Sequence, residues 1–138
     1  MFEETLLIIK PDAVKHKVVG KIISIIEDNN IDIIKIKKII LNRKNVEIFY
    51  FEHKSKPFYG ELIDFMLSGP VVALILKDIL VINKVRKLIG NTNYKLAEIG
   101  TIRHIFAKSL TENAVHASDS YESFLRESKI IFDKAYED

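Results

Sequence analysis

The chain has 138 residues, of which 48% are hydrophobic and 29% charged, and its formal net charge is +2. This composition is typical of a globular protein with one buried core, so we expect a single domain over residues 1–138. The absence of cysteine excludes disulfides, thiolate nucleophiles and cysteine-based metal sites. The small net charge is only weak evidence for an acidic partner such as a nucleic acid.

The sequence contains no pattern typical of a membrane or secreted protein. No apolar run approaches the roughly 20 residues that are needed to span a bilayer. The acidic start at residues 1–4 lacks the basic and apolar regions of a secretory signal. We therefore expect a cytoplasmic protein without a membrane partner.

The first third of the chain alternates between strand and helix patterns. Residues 5–9 are apolar and rich in strand formers, and the strand ends at Lys10 because the following proline cannot continue the ladder. We therefore place Lys10 at the exposed end of this strand. Apolar residues recur at helical spacing over 18–28, and the asparagines at 29–30 provide a left-handed stop. Residues 31–41 alternate imperfectly and predict a half-exposed strand.

The middle of the chain is predicted to form two helices, a buried strand and a third helix, over residues 43–52, 58–67, 71–76 and 79–89. Asn42 is a suitable N-cap for the first of these helices. Ser68-Gly69-Pro70 is a strong break before the buried strand. Gly90 is predicted to be the C-cap of the third helix.

The last third begins with a long irregular segment. Residues 91–112 show no sustained period, and we expect an ordered loop with short helical pieces, which in a small domain tends to be functional. Residues 115–116 are predicted to form the last strand. Asp119 and Glu122 have the spacing of a capping box, which predicts a helix running through Glu127.

The order of these elements predicts the fold class. Four strands with crossover helices favour an α+β, ferredoxin-like split βαβ sandwich, in which helices cover a four-stranded antiparallel sheet. A doubly wound sheet fits this order less well. The sequence has no internal repeat, low-complexity tract or second-domain boundary.

His116 is the first candidate for chemistry. It ends the last predicted strand, and a helix start follows it, so that a strand and a helix can hold the ring from two sides. An imidazole is largely neutral near pH 7 and is therefore nucleophilic. A lone strand histidine is more often a core or edge residue, but Glu127 could orient this ring and Ser118 could act as a hydroxyl relay. These two neighbours favour covalent chemistry at His116.

Side-chain cations are the candidates for binding phosphate, because the sequence contains no P-loop, no Rossmann glycine turn and no protein-kinase motif set. Lys10, Arg86 and Arg103 are the candidates, since guanidinium groups match phosphate oxygens in pairs. Each of them could instead be a solvated surface charge. Arg43 and Arg126 are expected to be solvated helix residues.

The other histidines and two aromatic residues are less informative. His16, His53 and His104 lie in polar or loop surroundings and are expected to be solvated. Phe58, at a predicted helix start, is either a core residue or a partly exposed ring that could stack on a base. Tyr50 could pack in the core or donate a hydrogen bond to a phosphate.

Several motifs occur together along nearly the whole chain. The most distinctive are Ile-Lys-Pro-Asp-Ala at 9–13 and His-Ala-Ser-Asp-Ser at 116–120. The six matching segments are residues 5–14, 53–58, 65–72, 85–93, 100–103 and 113–120. In these segments the chain resembles the nucleoside diphosphate kinase family. The resemblance implies ping-pong transfer of a γ-phosphoryl group from a nucleoside triphosphate to a nucleoside diphosphate, through a phosphohistidine on His116.

The resemblance also implies a role for individual side chains. The implied catalytic residues are Lys10, Tyr50, His116, Ser118 and Glu127. Phosphates would bind Lys10, Tyr50, Arg86, Thr92 and Arg103. The sugar would bind Asn113, and the base would stack on Phe58 with Leu62 and Leu110 as apolar neighbours.

The remaining implications concern the metal and the partners. Mg²⁺ would be carried by the nucleotide phosphates without direct protein ligands, and Glu52 or Asp119 would touch it through water. The substrates would be nucleoside triphosphates and diphosphates such as ATP and GTP. Family members are hexamers or tetramers, so a homo-oligomer is expected. No specific nucleic-acid partner is expected.

Some positions depart from the family pattern, namely Ile99, His104, Ile105, Glu112 and Ala117. Ala117 replaces the usual glycine beside the nucleophile, and Glu112 would place a carboxylate near the phosphate channel. These departures leave open an alternative, a catalytically impaired member that acts mainly as an interaction or nucleic-acid-binding module. Against nucleic-acid binding, the central strands predicted at 5–9 and 71–76 carry no aromatic residue for base stacking.

Overall fold

A four-stranded antiparallel sheet forms the centre of the molecule. The structure, a computed structural model, describes residues 2–133. The strands β1 (Phe2–Ile9), β2 (Asp32–Ile39), β3 (Val71–Ile79) and β4 (Val115–Ala117) lie in the order β2-β3-β1-β4. Every neighbouring pair is antiparallel. The predicted ferredoxin-like sandwich is confirmed.

Seven α-helices pack around this sheet within residues 2–133. They are α1 (Pro11–Lys15), α2 (Val19–Asp28), α3 (Arg43–Phe49), α4 (Tyr59–Met66), α5 (Val81–Ile89), α6 (Ile102–Phe106) and α7 (Tyr121–Phe132). Short 3₁₀ turns occur at Phe51–His53 and Tyr94–Leu96. None of the helices in this part of the chain is long and apolar enough to cross a membrane.

The two faces of β1 are buried in two separate cores, because successive side chains of a strand point to opposite sides. Leu7 and Ile9 pack into a core with α2 and α5. Leu6 and Ile8 pack into a second core with α3, α4 and α7. Burial on both faces explains why the strand is almost continuously apolar. Because helices cover both faces, the last residues of β1 lie among several helices.

Helix ends show where the local predictions were right and where they were wrong. Asn42 caps α3 as predicted, accepting a hydrogen bond from the backbone N–H of Asn45 at 2.8 Å. The predicted cap of α7 was wrong by one residue, because Ser120 is the N-cap and its hydroxyl accepts from the Ser123 N–H at 3.1 Å. Asp119 instead accepts from the Ser123 hydroxyl at 2.7 Å.

Two further differences concern where helices begin. The helix α1 was not predicted, although a proline in its first turn favours a helix start. The helix α5 begins at Val81, because β3 continues to Ile79 and Leu80 turns the chain with a positive φ of 53°. Gly90 ends α5 as predicted, with φ +88°, and a Cβ there would lie 2.5 Å from the Thr101 hydroxyl. The α5–α6 contact therefore requires glycine.

Candidate active site

A cavity of about 750 Å³ opens where β1 and β4 end. Its wall combines these strand ends with α5, α6, α7, the start of α4 and the loop around Leu110. The cavity is lined by the predicted residues Lys10, Tyr50, Glu52, Phe58, Leu62, Arg86, Thr92, Arg103, Leu110, Asn113, His116, Asp119 and Glu127. Of the predicted residues, Ser118 alone does not line it and lies behind Glu127. The structure therefore brings the predicted site together.

The imidazole of His116 is held by a carboxylate. Its Nε2 lies 2.8 Å from Oε1 of Glu127, and the buried Ser118 hydroxyl donates to the same oxygen at 2.8 Å. Because a carboxylate only accepts hydrogen bonds, Nε2 carries the proton and the lone pair is on Nδ1. No hydrogen bond from any other residue in 2–133 reaches Nδ1. The geometry therefore leaves Nδ1 as the nucleophilic atom.

Two aromatic rings fix the position of this imidazole. The Phe49 ring lies 4.9 Å from it between centroids, at 68°, and the Tyr50 ring lies 6.0 Å from it, at 85°. Burial, together with the negative charge of Glu127, raises the pKa of Tyr50 well above its usual value. The phenol therefore stays protonated. Its hydroxyl has no hydrogen-bond partner among the described residues, which leaves it able to donate to a ligand.

Lys10 is buried, whereas we predicted that it lies at an exposed strand end. Only 5% of the residue is exposed, and its Nζ donates to Oδ1 of Asn113 at 2.8 Å. The prediction was wrong because the chain segment around Asn113 folds over the end of β1. Burial, with repulsion from Arg103, lowers the pKa of Lys10 to about 8, while the carboxylate of Asp12 opposes the shift.

Two guanidinium groups bind the backbone on either side of His116. Arg103 is only 4% exposed and donates to the carbonyl oxygens of Val115 at 2.9 Å and Gly90 at 3.1 Å. Arg86 donates to the carbonyl oxygen of Ala117 at 3.3 Å. Burial and the charge of Arg86 lower the pKa of Arg103 to about 10, so it remains a cation at neutral pH. Cations therefore concentrate next to the imidazole, where anions can bind.

The other end of the cavity is apolar and exposed. Phe58 is 44% exposed and Leu110 is 63% exposed. Leu62 lines the wall one turn after Phe58 on α4. The Thr111 hydroxyl lies 3.5 Å from a carboxylate oxygen of Glu61 across the cavity mouth. This end offers a flat ring and aliphatic side chains to a ligand.

Two residues that we predicted to be solvated belong to the site. His53 lines the cavity with its ring 5.5 Å from that of Phe58, and burial lowers its pKa, with a further contribution from Lys56. Arg126 donates to the Phe49 carbonyl at 3.2 Å, and its other terminal nitrogen lies 3.4 Å from Oε2 of Glu127. The sequence signal that could have identified Arg126 as a site residue is its position directly before Glu127. For His53, the corresponding signal is that it begins the segment 53–58, which matches the family.

The departures from the family pattern leave the cavity intact. Glu112 is exposed and does not line the cavity, so the predicted carboxylate near the phosphate channel is not observed. Ala117 is buried in β4 without a positive φ, and its methyl group therefore fits the strand. Ile99 is 90% exposed, and Ile105 is also exposed. The exposed imidazole of His104 accepts a 3.4 Å hydrogen bond from the Gly100 N–H.

Four carboxylates of the described residues line the cavity wall, those of Glu52, Glu61, Asp119 and Glu127. Asp119 and Glu52 both line it, and the hydroxyl of Ser123 lowers the pKa of Asp119, which is therefore anionic at neutral pH. Across residues 2–133, no three His, Asp or Glu side chains cluster closely enough to hold a metal ion.

Comparison with known proteins identifies the family of this fold and site. The family model described as nucleoside diphosphate kinase matches residues 3–136. The nucleoside diphosphate kinase of Helicobacter hepaticus is 52% identical over 130 residues, which are 94% of this chain and 95% of that protein. That of Campylobacter concisus is 49% identical over 130 residues, with the same coverage.

A solved structure gives the same result. The Aquifex aeolicus nucleoside diphosphate kinase superposes with a TM-score of 0.93 at 37% identity and covers 99% of both chains. The matches extend over nearly the whole chain, so they include every residue that lines the cavity. The chain belongs to the nucleoside diphosphate kinase family.

Proposed function

We propose that this chain transfers the γ-phosphoryl group of a nucleoside triphosphate to a nucleoside diphosphate in two steps, through a phosphohistidine at Nδ1 of His116. Family membership makes the chain a phosphotransferase between these two classes of nucleotide. The observation that carries the residue-level proposal is the 2.8 Å bond between Nε2 and Glu127, which leaves Nδ1 free beside buried cations. The alternative of an impaired binding module is not favoured.

In the first step, the lone pair of Nδ1 attacks the γ-phosphorus. A P–N bond forms as the bond from phosphorus to the bridging oxygen of the β-phosphate breaks, and the nucleoside diphosphate leaves. Positive charge develops on the ring, and the negative charge of Glu127 stabilises it. The proton stays on Nε2 throughout. In the second step, a terminal oxygen of the acceptor diphosphate attacks the same phosphorus and the P–N bond breaks. The neutral imidazole is thereby restored.

The cations stabilise the charge that moves during transfer. Phosphoryl transfer depends mainly on positioning and electrostatics, because charge spreads over the oxygens of the transferred group. In our proposal, phosphate oxygens bind Lys10, Arg86, Arg103, Tyr50 and Thr92. Asn113, already bonded to Lys10, binds the sugar hydroxyl. The carbonyl bonds of both arginines fix these groups before the substrate binds, so little reorganisation is needed.

The base occupies the apolar end of the cavity. Phe58 offers an exposed face for stacking, and Leu62 and Leu110 contribute apolar contacts. Every base has a π-face, so stacking on Phe58 tolerates different bases. We therefore propose ATP, GTP and other nucleoside triphosphates as donors, with the corresponding diphosphates as acceptors.

Mg²⁺ enters as part of the nucleotide substrate. This ion retains several waters and commonly binds through substrate phosphates together with one or two carboxylates. Glu52 and Asp119 at the cavity wall match that chemistry and would contact the hydrated ion through water. In this proposal the ion neutralises phosphate charge, and the protein does not hold it in a cage.

We further propose that the chain is a cytoplasmic homo-oligomer, either a hexamer or a tetramer, without a specific nucleic-acid partner. Ile36 and Ile40 support contacts between copies, because they are 60% and 73% exposed on and just after the edge strand β2. Sedimentation velocity would measure the number of subunits directly.

The phospho-intermediate provides the test. After incubation with MgATP, the intact protein should gain the mass of one acid-labile phosphoryl group, and the adduct should disappear when a diphosphate is added. His116→Ala should form no adduct, whereas His16→Ala, which removes an exposed histidine outside the cavity, should form it normally. A wild-type protein that forms no adduct would contradict the proposal, and so would an adduct on His116→Ala.

A further inference from the structure

Asp12 is a buried carboxylate beside the site that the phosphoryl transfer described above does not use. It is 5% exposed, it lies in α1 directly after the end of β1, and it does not line the cavity. Its Oδ2 accepts a hydrogen bond from the backbone N–H of Ala114 at 3.1 Å. The carboxylate therefore reaches across to the segment that carries Asn113.

That segment has an unfavourable backbone conformation. Ala114 has a φ of +73°, in the left-handed region that residues other than glycine rarely adopt. The turn is held on both sides, because Asp12 binds the Ala114 N–H and the backbone N–H of Lys10 donates to the Ala114 carbonyl at 2.9 Å. In this bent form the turn places Asn113 Oδ1 2.8 Å from Lys10 Nζ.

Asp12 also affects the charge on Lys10. Burial and the guanidinium of Arg103 lower the pKa of Lys10 to about 8, and Asp12 is the negative group that raises it. The charges that act on Lys10 are those of Asp12 on α1 and Arg103 on α6. The other titratable groups of the cavity wall are Tyr50, Glu52, His53, Glu61, Arg86, His116, Asp119, Arg126 and Glu127. Among these groups, Asp12 is the carboxylate whose charge raises the pKa of Lys10.

We propose that Asp12 is a positioning residue for phosphoryl transfer, which holds the turn at Asn113 and Ala114 in its left-handed form and keeps Lys10 charged before nucleotide binds. This inference rests on the proposed function, because the charge on Lys10 matters to the reaction only if Lys10 binds phosphate. Asp12 itself touches no substrate and acts through Lys10 and Asn113.

The pH profile of Asp12→Asn tests the electrostatic part of this proposal. The profile of kcat/KM reports the groups of the free enzyme. In the wild type, kcat/KM for phosphohistidine formation from MgATP should fall as pH rises through about 8, because Lys10 loses its proton there. Removing the negative charge lowers the pKa of Lys10 further, so the fall should move to lower pH by about one unit. An unmoved profile would overturn the proposal.

Glu3→Gln is the matched control. Glu3 lies at the start of β1, whereas Asp12 follows the end of this strand. The carboxylate of Glu3 likewise accepts a hydrogen bond from a backbone N–H, that of Ile82, at 3.1 Å. The variant makes the same chemical change and removes a similar bond outside the cavity. Its thermal stability should fall, and the alkaline side of its profile should stay in place. A shift equal to that of Asp12→Asn would overturn the proposal, because the effect would then be general.

Two NMR titrations test the proposal without enzyme activity. Burial raises the pKa of Asp12, so the Ala114 amide proton of the wild type should change its chemical shift as pH falls through a midpoint above 3.8. The ¹⁵N resonance of Lys10 Nζ should titrate at lower pH in Asp12→Asn than in the wild type. An Ala114 amide proton without this titration, or an unchanged Lys10 midpoint, would overturn the inference. A wild type that forms no phosphohistidine would instead contradict the proposed function, and both titrations would remain measurable.

Discussion

The two ends of the cavity are built differently. At the phosphate end, Lys10, Arg103 and Glu127 are almost completely buried, and each makes hydrogen bonds to other parts of the protein. At the base end, Phe58 is 44% exposed at the start of α4, and Leu110 is 63% exposed in a loop. The first end is a fixed set of charges, and the second is an apolar slot.

This difference has a physical reason. Buried charges are costly unless other groups stabilise them, and the hydrogen bonds that do so also fix their positions. Fixed charges suit a reaction in which the same phosphoryl group is always transferred. Stacking on an exposed ring needs no such precision and accepts any base. We therefore expect changes at the phosphate end to reduce the rate of transfer, and changes at the base end to reduce nucleotide affinity.

The largest effect is expected for Arg103→Met. This change removes a buried cation at the proposed phosphate site and its bonds to the Val115 and Gly90 carbonyls. Loss of one preorganised group that stabilises the transition state typically costs 100- to 1,000-fold, and we expect about 1,000-fold in kcat/KM. Stopped-flow measurement of His116 phosphorylation by MgATP would determine this loss in kcat/KM.

Arg43→Met controls for the loss of an arginine. Arg43 is exposed and forms a 3.1 Å ion pair with the exposed Asp64 outside the cavity. Exposed ion pairs contribute about 0–1 kcal/mol, so the stability should change little and the phosphorylation rate should not change. Equal losses of phosphorylation rate in the two variants would contradict a specific role for the buried Arg103 in phosphoryl transfer.

Glu127→Gln should have the next largest effect. The amide has no negative charge to stabilise the protonated ring, and its NH₂ group can donate to Nε2, which favours the wrong tautomer. We expect the single-turnover phosphorylation rate to fall about 100-fold. Ser118→Ala, which removes one hydrogen bond to the same oxygen, should reduce it about tenfold.

Two residues of α7 that do not line the cavity provide the controls for these changes. Glu122→Gln repeats the carboxylate-to-amide change at an exposed position on the first turn of the helix, and Ser128→Ala removes the hydroxyl of a half-buried residue that donates to the Leu125 carbonyl. Both should leave the phosphorylation rate at the wild-type value. A Glu127→Gln rate that is equally unaffected would mean that the carboxylate does not act on the imidazole.

Local patterns in the sequence predicted most of the fold. Apolar runs identified β1 and β3, and helical spacing identified α2, α4 and α5, because these signals come from neighbouring residues. The resemblance to the family predicted which side chains line the cavity. Neither could predict that Lys10 is buried, since the covering segment around Asn113 lies more than 100 residues away in the chain.

The same limit explains one of the two residues that were missed. Arg126 looks like a solvated helix residue in its own segment, and only the packing of α7 against the end of α3 brings it to the Phe49 carbonyl. His53 is polar among polar neighbours in the sequence, and the fold places its ring beside Tyr50 and Phe58. A contact between distant segments determines the position of Arg126, whereas the ring neighbours of His53 lie within five residues of it in the chain.

The smallest effect is expected for Phe58→Ala at the base end. Loss of a stacking ring costs about 1–3 kcal/mol per base, so KM for the acceptor diphosphate should rise about tenfold or more. The ring is proposed to contact the base and not the transferred phosphoryl group, and kcat should therefore remain within about twofold. Steady-state kinetics with several diphosphates would separate the two constants. Phe2→Ala, which removes an exposed ring outside the cavity, should change neither. If kcat instead fell as far as it does in Glu127→Gln, the base end would take part in transfer, and the functional difference between the two ends would not hold.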